Sequence, residues 1–208
     1  MKMFSRRVTC VAISLAGLAA PMFANAESTL ATGAGALSAG ARLDFRVTIP
    51  KVLFLQVGTG SSMANNAAVS LIDFTVPAGN VGDSSVINAT GGSGDLGNGT
   101  VTAKVVGNGG DVTLTSTTAG ALGNGLGDTL SFAQIATAAA VLTTGTALAA
   151  PALVDGATTS TTVPATGKIV NRDARWTFTY LNAAAVAPGT YGGVGTNNGR
   201  VTYTASVL

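Results

Sequence analysis

The sequence predicts an all-β fold, a β-sandwich, on three observations. Several short runs alternate apolar and polar residues with a period of two. Gly and Asn cluster between those runs, where tight turns need positive φ. After residue 26, no segment sustains the helical period of about 3.6 residues with caps at its ends. Many short strands separated by Gly/Asn turns are the pattern of two packed sheets.

The chain opens with a segment that does not belong to this fold. Lys2, Arg6 and Arg7 are followed by the uncharged apolar run Val8 to Ala20, then Pro21 and Ala24-Asn25-Ala26. A basic start, an apolar middle and small residues before a cut are the parts of a cleavable secretory signal peptide, so residues 1–26 read as one and Glu27 as the mature start. The alternative is a membrane anchor, but a spanning helix needs roughly 20 apolar residues and this run is shorter. The one cysteine, Cys10, lies inside the apolar run and far from the cut, which disfavours a lipoprotein.

Residues 27–41 are almost all small and predict a mobile arm, with Leu30 and Leu37 its large side chains. Residues 42–208 form the predicted sandwich. Leu43, Phe45, Val47 and Ile49 alternate with Asp44, Arg46 and Thr48, and Leu53, Leu55 and Val57 resume the pattern after Pro50-Lys51. One long strand with a kink or bulge is expected there. Ile72, Phe74 and Val76 predict a second strand. Val101, Ala103 and Val105, then Asn108-Gly109-Gly110-Asp111, then Val112 and Leu114 predict a hairpin. Leu130 and Phe132 begin a short strand ending near Ile135, and Ala136 to Leu142 has room for a helical turn or two. Residues 143–167 read as a long loop with space for an edge strand, and Ile169-Val170 as a brief pairing. Ala174, Trp176, Phe178 and Tyr180 predict the clearest strand, and Val201, Tyr203, Ala205 and Val207 the last. A small outer-membrane barrel is the rival architecture, but it needs aromatic girdles, and only nine aromatics follow residue 26.

Composition narrows the chemistry. The formal charge of +2 includes three basic residues of the leader; without them the charge is −1. Nucleic acid and anionic lipid, which need clustered positive charge, are therefore not expected partners. After residue 26 there is no Cys and no His, which removes thiol and Ser-His-Asp mechanisms and any disulfide. The acids are scattered singly, several beside Gly, where Asp forms turns. Gly91 to Gly99, containing Asp95, approaches the glycine-aspartate repeats that bind calcium, and Gly125-Leu126-Gly127-Asp128 echoes part of it. Two similar turns are the plainer reading, and no catalytic residue, cofactor or metal site is assigned. Trp176, Tyr180, Tyr191 and Tyr203 suit either a sugar-stacking platform or the core; three of the four lie on the apolar parity of strands, which favours the core.

One resemblance adds to this. Trp176-Thr177-Phe178-Thr179-Tyr180, then Ala187-Pro188-Gly189-Thr190-Tyr191, then Gly199-Arg200-Val201-Thr202-Tyr203-Thr204 resembles the ending of secreted bacterial fimbrial-type subunits, pilins of the alternate chaperone–usher class. The resemblance implies an immunoglobulin-like sandwich of about seven to nine strands that lacks one strand. It implies a groove filled first by a periplasmic chaperone and then by the N-terminal extension of the next subunit, with an usher and like subunits of the same fibre as partners. On that plan residues 27–41, with Leu30 and Leu37, are the donor arm, and Val201, Tyr203, Ala205 and Val207 border the groove. The expected function is then a non-enzymatic structural surface protein of fimbrial or adhesin type, passing through the periplasm to the cell surface. The alternative is a monomeric secreted module that binds carbohydrate or another surface ligand.

Overall fold

The structure is a computed structural model that describes residues 28–208 apart from Ser62 and Thr144. The expected leader, its cut and Glu27 lie outside the described residues. The chain divides into a unit ending at Ile49 and a second unit, Pro50–Leu208.

The first unit has no regular element among its described residues. Thr29 Oγ1 donates to the carbonyl of Gly40 at 2.8 Å, closing a loop. Leu43, Phe45, Val47 and Ile49 keep the alternation of a strand but belong to none. They are 76–85% exposed. The long strand expected across Pro50 therefore begins only at Leu53. Pro50 offers no N–H and pushes Ile49 to extended backbone. The neighbouring strand also ends at Gly107, so earlier residues have no ladder to join.

Among its described residues the second unit holds ten strands: β1 (Leu53–Val57), β2 (Ile87–Asn88), β3 (Thr100–Gly107), β4 (Val112–Thr118), β5 (Leu122–Gly123), β6 (Thr129–Leu130), β7 (Ile135–Ala140), β8 (Thr158–Val163), β9 (Val170–Tyr180) and β10 (Val201–Ser206). In one sheet β3 lies between β1 and β9, with β2 and β7 also paired to β9. A second sheet has the order β10-β4-β8, and β5 pairs with β6. Every pairing is antiparallel.

Alternation now has a visible cause. Val101, Ala103 and Val105 of β3 and Ala174, Trp176 and Phe178 of β9 share one buried cluster with Val112 and Leu114 of β4 and Val163 of β8. Both sheets thus turn one face to a common core, consistent with a β-sandwich. Trp176 is fully buried and Tyr180 is 5% exposed, so the aromatic strand serves the core.

Three local expectations come out differently. β3 and β4 are no hairpin: β1 and β9 occupy both edges of β3, so Asn108 to Asp111 carries the chain across to the other sheet as an arch. Ala136 to Ala140 is strand, not helix, because β9 offers it a free edge, and that pairing outweighs the helical preference of alanine. Residues 72–76 are extended with alternating burial but form no ladder; they contact residues 90–94 by single bonds such as Thr90 N to Asp73 O at 2.8 Å.

The outward face of the second sheet carries only hydroxyls. Its rows are Ser206, Thr113 and Thr162; Thr204, Thr115 and Ser160; Thr202, Thr117 and Thr158. All are exposed except Thr115, which is half-buried.

Candidate strand-accepting edge

The two long sides of the sandwich differ. On one side the chain closes its own core. Leu148 is 1% exposed, and its carbonyl accepts the indole N–H of Trp176 at 2.7 Å. From the second sheet, Ser116 Oγ donates to Ala152 O at 2.9 Å and Thr118 Oγ1 to Val154 O at 2.6 Å. Residues 148–154 are thus tied to both sheets and cover the gap between them. The signal for this was weak, because that stretch reads as Ala, Pro and Val with Leu148 and Leu153 its only leucines.

On the other side, β1 of the first sheet and β10 of the second approach each other. Each is the last strand of its sheet, so each has one edge of backbone N–H and C=O groups unpaired by a ladder. Register fixes what they turn inward. Leu55 and Val57 lie opposite Val105 and Ala103, and Val201, Tyr203 and Ala205 opposite Thr118, Ser116 and Leu114, all buried partners. Yet Leu53, Leu55, Val57, Val201, Tyr203, Ala205 and Val207 are only half-buried themselves. The core is therefore incompletely covered where both free edges lie. Tyr203 bridges from this rim to the interior, its ring 5.3 Å from that of Trp176 and tilted by 49°. Burial holds its phenol well above the ordinary tyrosine value of 10.0.

The lower end of the edge is fastened. Asn108, at the start of the β3–β4 arch, accepts the N–H of Val52 on Oδ1 at 2.7 Å and donates from Nδ2 to Pro50 O at 2.8 Å. Lys51 Nζ donates to the carbonyl of Leu208 at 2.9 Å, joining the approach to β1 to the end of β10.

Of the residues singled out in the sequence, Val201, Tyr203, Ala205 and Val207 stand together on this rim. Leu30 and Leu37 belong to the first unit and are 88% and 55% exposed. Leu43 to Ile49 and Leu53 to Val57 were expected as one long strand of the sandwich rather than as part of this edge, and the fastening by Asn108 was not expected. Only Pro50, between the two apolar runs, hinted that the second run stands apart from the first.

Several of the carboxylates are taken up by backbone and side-chain donors. Asp95 accepts from Thr102 N, Asp111 from Ala165 N, Asp155 from Phe132 N and Asp128 from Asn124 Nδ2. The two Gly-rich turns thus use their aspartates differently. Asp83 accepts from Ser85, Asn80 and Asn182, and the Ser85 and Asn80 bonds hold its carboxyl below the ordinary range. Among the described residues no group of three or more His, Cys, Asp or Glu could hold a metal ion. A hollow of about 90 Å³ beside β1 is lined in part by Phe54, Gln56, Thr59 and Asn66, and a wider, open one of about 360 Å³ lies between the β3–β4 arch and the chain end, lined by Gly109, Asp111, Thr113, Ser206, Val207 and Leu208. Tyr191, half-buried, donates to Ala187 O at 2.8 Å within its own loop. Among the described residues no helix is long and apolar enough to cross a membrane.

No family model, no curated protein and no solved structure matches this chain.

Proposed function

We propose that this chain is a non-enzymatic, exported subunit of a surface fibre, of fimbrial or adhesin type, that assembles by β-strand addition. The observation that carries the reading is the pair of end strands β1 and β10, which approach each other with free edges flanking half-buried core side chains, while on the other side residues 148–154 tie the two sheets together through Trp176, Ser116 and Thr118. A strand added between β1 and β10 gains main-chain bonds on its edges and places alternate side chains over the core. On this reading the sandwich is immunoglobulin-like with one strand missing, residues 1–26 direct export, and a periplasmic chaperone and an usher handle the subunit before it joins like subunits.

The exposed alternating run Leu43 to Ile49 supports the same reading, because four large apolar side chains in water are a cost that insertion removes. It also moves the donor from residues 27–41, where Leu30 and Leu37 stand among Ala and Gly, to residues 43–49. The test is the oligomeric state of the chain without its leader, by light scattering after size exclusion, with and without Phe45→Asp and Val47→Asp together. Concentration-dependent assembly that the double substitution abolishes supports the reading; a wild-type chain that stays monomeric at all concentrations, with or without a chaperone, overturns it.

A further inference from the structure

We propose that the outward face of the β10-β4-β8 sheet binds the surface of ice, a crystalline lattice of water. The inference stands apart from strand addition, because it uses none of the inward side chains of the rim.

Nine outward positions make the face, seven threonines and two serines in three rows of three. Each row crosses β10, β4 and β8, and each strand supplies every second residue. The outward face of the other sheet is built differently. Across β3 and β9 it mixes Thr100, Thr102 and Thr177 with Lys104, Asp173 and Arg175. The strand preference of threonine acts on both sheets, so it does not explain why one face alone is free of charge.

Strand geometry sets the spacing. Neighbouring strands lie about 4.8 Å apart and alternate residues about 6.8 Å along each strand, so the hydroxyls form a near-rectangular net. Both intervals are close to oxygen repeats in the ice lattice. Sheet twist spoils such a match over many strands, and this sheet has three. Part of the net is held in place. The Thr117 and Thr158 hydroxyls share a bond at 2.8 Å, Thr115 Oγ1 donates to Thr204 O at 3.3 Å, and Ser206 Oγ donates to Thr113 O at 3.4 Å. Each of these hydroxyl oxygens keeps acceptor capacity for water. The threonine methyls beside them offer water no bond, so the hydroxyl positions dictate where water can attach.

Size and charge choose the occupant. Three strands paired over six residues cover roughly 15 by 20 Å, about 300 Å², against about 800 Å² per partner in a standard protein interface. The face has no aromatic or Arg to anchor a protein and no ring on which a sugar could stack. A neutral net of groups that both donate and accept complements a neutral lattice of molecules that do the same.

The experiment freezes a dilute solution of the chain without its leader slowly, and measures how the protein divides between ice and liquid; inhibition of ice recrystallisation is the second readout. Wild type is expected to enter the ice and to keep its grains small. Thr115→Lys, at the centre of the net, is expected to lose both effects with an unchanged melting temperature. Asn171→Lys, exposed on the other sheet, is expected to keep both. Should Thr115→Lys unfold, Thr117→Val with Thr204→Val keeps the branched shape and removes two hydroxyls, and the same loss is expected. A wild-type chain excluded from ice like an ordinary solute overturns the proposal. So does a folded face variant that still enters ice, or an equal loss in Asn171→Lys. Retention on insoluble cellulose or chitin that Thr115→Lys abolishes, without entry into ice, overturns it in favour of a polysaccharide surface.

Discussion

Replacing Trp176 by Phe tests the closed side of the sandwich, on which the asymmetry of the molecule depends. The change removes an indole N–H that donates to the carbonyl of Leu148 at 2.7 Å. Leu148 is 1% exposed, so its carbonyl has no water to turn to. Orphaning a buried acceptor costs about 1–3 kcal/mol. The smaller ring also leaves a void of roughly 40 Å³ in a site where Trp176 was fully buried, worth about 1 kcal/mol. The expected loss is about 2–4 kcal/mol, since the two terms fall on different groups. With a urea m-value of about 2 kcal/mol/M, the midpoint drops by about 1–2 M. Far-UV circular dichroism is the readout, because Trp176 is the only tryptophan and its fluorescence goes with it. A loss below about 0.5 kcal/mol with unchanged m would show that residues 148–154 are not held by this bond, and the contrast between a sealed and an open side would fall.

Three other outcomes follow from particular contacts. Gly99 has φ +73°, and a Cβ there would lie 2.5 Å from Ala89 Cβ and 3.0 Å from Phe178 O, so Gly99→Ala is expected to cost at least about 2 kcal/mol in chemical denaturation. Its neighbour Asn98, at φ 51°, accepts Gly within about 0.5 kcal/mol. Asn182, 1% exposed, accepts Gly82 N–H at 2.9 Å and donates to Asn80 O and Asp83, so Asn182→Ala should lower stability by roughly 3 kcal/mol and speed proteolysis of residues 78–85. Tyr203 has a folded pKa raised above the unfolded value by burial. Its contribution is therefore complete below about pH 10 and is lost as the pH climbs from there toward the folded value, so Tyr203→Phe should flatten the alkaline fall in melting temperature.

The strands that reached the core were legible because both of their faces have a fixed fate. Along β9, Ala174, Trp176, Phe178 and Tyr180 meet the interior, and the intervening Arg175, Thr177 and Thr179 do not. Alternation could not separate Leu43 to Ile49 from β1, since an exposed extended run and a paired strand can share one pattern. The β3–β4 connection failed for a different reason. Asn108-Gly109-Gly110 supplies turn chemistry for a hairpin or an arch alike, and the choice was made by β9, more than 60 residues later, taking the edge of β3 that β4 would have used. Ala136 to Ala140 was misread because local propensity favours helix where a distant edge supplies strand bonds. For the candidate edge, Val201 to Val207 was readable as a strand, but its half-burial depends on the absence of a cover over β1 and β10, and no local residue encodes an absence.

The outer face of the β10-β4-β8 sheet consists of Thr and Ser alone. None of these groups changes charge between acid and alkali, and none has a counterion to lose to dissolved salt. Whatever rests against that face, be it water, a neighbouring filament or a solid support, meets the same chemistry in fresh water and in brine. That face keeps its wetting constant while its surroundings vary, and any sensitivity to pH or salt enters through the loops and the charged residues of the other sheet.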